Sequence, residues 1–78
     1  MSDVPILNHI RRLRFEHGEL TQAQLGVRCG VTRQTIISLE AGKYTPSLEL
    51  AFRIARVFGC AVGDVFWWEE EAGEPGPG

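Results

Sequence analysis

Seventy-eight residues suffice for one small domain with a modest core, whose net stability is expected to be a few kcal/mol or to lean on oligomerisation. No apolar run reaches the roughly 18 residues of a spanning helix, the start lacks the basic and apolar blocks of an export signal, and two cysteines are too few for a disulfide framework. The net charge of −2 looks wrong for a polyanion partner, but residues 1–68 carry all eight Lys and Arg against six acids, while Glu69, Glu70, Glu71 and Glu74 hold the rest of the acid.

Met1 to Pro5 reads as a frayed lead-in. A first helix is predicted from Ile6 or Leu7 to His17, with Ile6, Ile10 and Leu13 on one face, Arg11, Arg12 and Arg14 beside it, and Gly18 as its stop. The next stretch, LTQAQLGVRCGVTRQTIISLEAGK, organises the chain. It predicts two short helices, Leu20 to Cys29 and Thr32 to Ala41, because each half opens on a capping Thr and closes on a Gly able to take positive φ, with Gly30 in the turn between them. Thr21 and Gln24 have the spacing of a capping box. Leu25 and Cys29 in one helix, and Ile36 and Leu39 in the other, repeat at the intervals that put side chains on one face, so both pack inward. This is a helix-turn-helix pattern.

Arg33, Gln34, Thr35 and Ser38 remain on the outer face of the second of these helices. Arg forks onto guanine, Gln onto adenine, and Ser or Thr serves either, so a helix entering the major groove N-terminus first would read bases with them. Short polar residues equally well solvate an exposed face, and the four residues alone do not decide between these readings. Gly42 closes the helix, Lys43-Tyr44-Thr45 forms a loop, and Ser47 after Pro46 caps a fourth helix whose inward stripe reads as Leu48, Ala51, Ile54, Ala55 and Phe58. Arg53 and Arg56 fall off that stripe and are expected in solvent.

After Gly59, Ala61 to Phe66 predicts a fifth short helix with Val62, Val65 and Phe66 as its apolar face. Trp67 and Trp68 follow, and two adjacent indoles are hard to bury in so small a domain. Val62, Val65, Phe66, Trp67 and Trp68 are therefore expected to form a twofold dimer contact; in the alternative, one Trp closes the core and the other lies exposed. Glu69 to Gly78 is acidic and rich in Gly and Pro, so it is expected to be disordered or to add at most one short extended piece at the dimer edge. The domain reading is thus 1–68 for DNA binding and 69–78 for the tail.

The residues Leu20-Thr21-Gln22, Leu25, Gly30-Val31-Thr32-Arg33-Gln34-Thr35-Ile36, Leu39-Glu40, Gly42-Lys43-Tyr44, Pro46-Ser47-Leu48 and Ile54-Ala55 together resemble the Cro and phage-repressor (XRE) family of helix-turn-helix regulators, over roughly Asn8 to Phe66. The resemblance implies an all-α, five-helix lambda-repressor-like DNA-binding domain with the motif at its second and third helices. It implies an ion pair between Arg14 and Glu40, a DNA-backbone anchor at Gln22, and a loop lying over phosphates at Lys43 and Thr45, joined by Thr32 at the start of the reading helix. Three departures stand out: one extra residue near Gly18 or Glu19, Gly26 where relatives usually have Ala, and Ala61 where they often have a capping Ser.

The function expected from these readings is sequence-specific binding of double-stranded DNA by a cytoplasmic homodimer that regulates transcription, repression being the default. No cofactor, small-molecule effector or membrane partner is expected. Cys29, Cys60, His9 and His17 lack the close ligand pairs of a metal site, and no acid-base pair, nucleophile constellation or phosphate loop suggests catalysis. The same binding mode would serve an antitoxin or a restriction-system controller. A protein-binding adaptor that had lost DNA contact should show a degenerate reading face.

Overall fold

The computed structural model describes residues 5–69. In chain order the elements are β1 (Ile6–Asn8), α1 (Ile10–Glu16), α2 (Gln22–Cys29), α3 (Arg33–Glu40), α4 (Leu48–Phe58), α5 (Val62–Val65) and β2 (Phe66–Trp68). The five helices expected from the sequence are present, and a two-stranded antiparallel sheet is added to them. The predicted lead-in up to Val4 and the acidic tail from Glu70 onward lie outside the described residues.

The sheet corrects the start of the first helix. Ile6 faces Trp68, Leu7 faces Trp67 and Asn8 faces Phe66, so three residues read as helix are held extended by a partner at the far end of the fold. Asn8 then turns the chain into α1: its Oδ1 accepts from the Ile10 amide (3.1 Å), and its Nδ2 donates to the Leu39 carbonyl (2.9 Å). The His9 amide donates to the Val65 carbonyl (2.9 Å), tying the root of α1 to α5.

Between α1 and α2 the extra residue is absorbed by two successive left-handed positions, Gly18 (φ 83°) and Glu19 (φ 54°). The Leu20 amide then reaches back to the Arg14 carbonyl (2.9 Å), and Leu20 drops into the core. Thr21 and Gln24 form the capping box: Thr21 Oγ1 accepts from the Gln24 amide (3.0 Å), and Gln24 Oε1 accepts from the Thr21 amide (2.9 Å). At Gly26 a Cβ would stand 2.8 Å from the Val31 carbonyl oxygen, so the missing side chain lets the turn and the root of α3 lie directly on α2.

Helix ends repeat one device. After α3 the Gly42 amide donates to the Leu39 carbonyl (3.1 Å) and the Lys43 amide to the Ser38 carbonyl (3.0 Å), the paired bonds of a Schellman turn. Gly30 and Gly59, both left-handed, close α2 and α4 in the same way.

Ile10, Leu25, Ile36, Leu39, Ile54 and Val65 are fully enclosed and form the centre of the core with Cys29. Each such aliphatic side chain contributes about 1.5–3 kcal/mol over its exposed state. The stripe of α4 differs by one residue from its sequence reading. Leu50, Ala51, Ile54, Ala55 and Phe58 face inward, whereas Leu48 is 73% exposed. At about 100° per residue, Leu48 sits roughly 90° from the middle of that stripe, and Leu50 takes the inward place.

Arg53 is exposed, as its place off the stripe predicts, but its guanidinium is also engaged. Its Nη1 donates to the Cys29 carbonyl at the end of α2 (3.0 Å), while its Nη2 meets Glu49 Oε2 (2.6 Å). A cation at a helix C-terminus satisfies an orphan carbonyl and complements the helix dipole, so Arg53 ties α4 to α2. In α5 the absent capping hydroxyl at Ala61 is offset from inside the helix, where Asp64 Oδ2 accepts from the Ala61 amide (3.1 Å).

Candidate nucleic-acid interface

α3 is defined at both ends. At its start, Thr32 Oγ1 accepts from the Thr35 amide (3.2 Å) and lies 3.1 Å from Thr35 Oγ1. The hydroxyl of Thr32 is thus used as a cap, and the two hydroxyls share one hydrogen bond and keep one proton to offer outward. Arg33 and Gln34 are exposed in the first turn, while Thr35 and Ser38 are half-buried.

At its end, Glu40 is the hub of a clamp. Arg14 Nε donates to Glu40 Oε2 (2.7 Å), Arg14 Nη2 to Glu40 Oε1 (3.2 Å), and Arg14 Nη1 to the Leu20 carbonyl (2.9 Å). The two side chains are only 16% and 11% exposed. Gln22 Nε2 donates to the same Glu40 oxygen (3.2 Å). One carboxylate therefore ties α1, the first turn of α2 and the last turn of α3 together, which sets the tilt of α3 against the body. The clamp also holds the Gln22 amide group in place, a link that no sequence spacing signals.

The polar residues of α3 divide over two flanks. Thr32, Gln34, Thr35 and Ser38 border a shallow depression of ≈ 340 Å³ with Lys43 and Tyr44. Thr45 is exposed but does not border it. Arg33 lies on the other flank, where it borders a larger hollow of ≈ 580 Å³ with Arg11, Gln22 and the clamp residues. The amides of Gln22 and Ala23, the first-turn donors of α2, take no acceptor among the described residues and lie at that hollow. Tyr44 and Arg11 were not singled out as contacts from the sequence. The signal for Tyr44 was its place in the loop after Gly42, and for Arg11 its place three residues before Arg14, on the same side of α1.

The residues assigned to a dimer contact are split. Val65 and Phe66 are interior to the single chain, because the β1–β2 pairing turns Phe66 onto the core. Val62 is half-buried against the core edge. Trp67 is half-buried and stacks on His9 (centroids 4.2 Å apart), while Trp68 is 46% exposed and Leu7, opposite Trp67, is exposed as well. Of these side chains, Val62 and Trp67 stay half-buried and Trp68 stays exposed. Both cysteines are reduced. Burial pushes the Cys29 thiol up, opposed in part by the Arg53 guanidinium, and burial followed by the Asp64 carboxylate pushes Cys60 up.

A short helix seated on a turn against its neighbour, with polar first-turn side chains outside and its far end clamped to the body, is the arrangement of a helix-turn-helix DNA-binding domain. The chain belongs to the helix-turn-helix family of Cro and phage-repressor type: the family model described as Helix-turn-helix matches residues 10–65. It is 48% identical over 64 residues to an uncharacterized HTH-type transcriptional regulator of Methanocaldococcus jannaschii, covering 82% of this chain and 96% of that protein. A Bacillus subtilis protein of the same description, YgzD, is 47% identical over 64 residues, with the same two coverages. Another from Methanothermobacter thermautotrophicus is 56% identical over 63 residues, 80% of this chain and 90% of that protein. No helix among the described residues is long and apolar enough to cross a membrane.

Proposed function

We propose that this chain, a helix-turn-helix transcriptional regulator, works in the cytoplasm as a homodimeric repressor on a palindromic operator. The observation that carries the reading is the first turn of α3, where Arg33 and Gln34 stand exposed on a helix whose opposite end is clamped through Glu40. Arg33, Gln34, Thr35 and Ser38 then meet base edges, and Gln22, Thr32, Lys43 and Thr45 hold phosphates, so positioning and reading fall to different residues. One domain reads too few base pairs to find a site in a genome. The exposed Trp68, and the half-buried Trp67 with Leu7 paired opposite it, supply aromatic and apolar area at the β1–β2 edge for a twofold contact. With no effector invoked, occupancy follows protein concentration, and polymerase is excluded when both half-sites fill.

Selection of bound sites from random duplexes tests the proposal. The expected outcome is an inverted repeat with half-site centres about one helical turn, roughly 34 Å, apart. Recovery of a single unrepeated site would remove the dimer, and recovery of no preferred sequence would remove base reading.

A further inference from the structure

The arginines of this fold divide into those already committed to a counter-ion and those that are not. Arg12 pairs with Glu16 (3.5 Å), Arg14 with Glu40 and Arg53 with Glu49. Among the described residues Arg11, Arg28, Arg33 and Arg56 make no ion pair or hydrogen bond through their side chains. Two of these four, Arg11 on α1 and Arg33 on α3, border the same hollow, together with Gln22. Of the acids at that hollow, Glu40 is already neutralised by Arg14, and Glu19 pairs with neither arginine. Two like charges over one hollow disfavour the isolated protein and favour the arrival of a polyanion.

We infer that Arg11 is a further contact to the DNA backbone, supplied from outside the helix-turn-helix. This rests on the proposed DNA-reading role of α3. With the first turn of α3 in the major groove, Arg33 faces the groove from one wall of the hollow, and the strand bordering the groove passes its mouth. Arg11 borders the same hollow from α1 and meets that strand's phosphates there. The helix that the clamp ties to α3 thus takes part in binding as well as in support. Arg11 is exposed and makes no contact that holds the fold, so its replacement acts on binding alone.

The test compares wild-type protein with Arg11→Gln, Arg11→Lys and Arg56→Gln, the last removing an equally uncommitted charge that lies away from the hollow. Affinity is measured between about 50 and 200 mM salt, on the duplex selected by the wild type and on a mixed-sequence duplex of equal length. Arg11→Gln should lower the slope of log affinity against log salt by about 0.9 per bound protomer on both duplexes, so that its deficit relative to wild type shrinks roughly 3.5-fold across that range. Arg11→Lys should restore the slope, and Arg56→Gln should leave it unchanged. A wild-type slope for Arg11→Gln, or an equal change for Arg56→Gln, overturns the contact while leaving DNA binding in place. Failure of the wild type to bind either duplex at the lowest salt overturns the regulator reading, and this inference with it.

Discussion

Removing Arg14 should cost far more than a surface charge. Arg14→Ala leaves the Glu40 carboxylate with the Gln22 amide alone and strips the Leu20 carbonyl of its donor, in a site where the two charged side chains are 16% and 11% exposed. Breaking one side of such a pair costs about 3–5 kcal/mol when burial is complete, so about 3 kcal/mol applies here. In a domain of this length that corresponds to a melting midpoint lower by roughly 15 °C. Glu40→Ala should cost about 2 kcal/mol, because the guanidinium keeps the Leu20 carbonyl and can reach water. The double variant should lose about 3.5 kcal/mol, some 1.5 less than the sum of the singles. Urea titration followed by far-UV circular dichroism measures all three, provided the urea slope stays constant. A double variant that equals the sum of the singles within about 0.5 kcal/mol would show that the two side chains act independently and that the clamp does not exist in solution. A companion pair, Arg14→Met with Glu40→Leu, should fold nearly as well as wild type yet bind DNA less tightly, since it keeps the packing and loses the hold on Gln22.

Other perturbations separate the remaining roles. Gln34→Ala should cost roughly 1–3 kcal/mol on the selected operator and relax base preference, whereas Lys43→Ala should weaken all duplexes alike and lower the salt slope by about one; identical behaviour of the two would refute the division between reading and positioning. Trp67→Ala combined with Trp68→Ala should sediment as a monomer and lose cooperative binding, and an unchanged dimer would locate the contact elsewhere. Gly59→Ala forces a Cβ into a left-handed position (φ 68°) with no atom within 4 Å to clash, so its cost is conformational, about 1 kcal/mol by thermal melting. Thiol titration of the native protein should label Cys60 well before Cys29. Both thiols are pushed up and so carry less thiolate near neutral pH, but Cys29 is also enclosed and should react at the rate of unfolding.

The parts of the fold that were legible in the sequence are those written in local chemistry. Thr21, Thr32 and Ser47 each accept an amide three residues on, and glycines end α2 and α4 and follow α3, so the central helices follow from caps and spacing alone. What escaped was set by residues far apart in the chain. Ile6-Leu7-Asn8 is too short to show a period of two, and it is extended only because Phe66-Trp67-Trp68 lies beside it. Arg53 sits where a helical wheel puts solvent, but the end of α2 supplies a carbonyl that no wheel contains. Leu48 and Leu50 are both leucines flanking a charged residue, and only the packing of α4 on α2 decides which one is inward. At the site, the candidate reading face was visible as a list of residue types. Its division into two flanks, and the link from Glu40 to Gln22, required the crossing of three helices.

Pairing β1 with β2 gives synthesis on the ribosome a definite order. Of the described residues, the Pro5 carbonyl and the His9 amide are among the first made, yet their partners, the Glu69 amide (2.8 Å) and the Val65 carbonyl, are among the last. The middle helices can pack on one another before β2 is made, but the backbone of β1 has no strand to pair with until then. Closure of this small sheet therefore waits for the last strand of the domain: a chain cut or halted before β2 keeps an open strand edge that proteases and aggregation can both exploit.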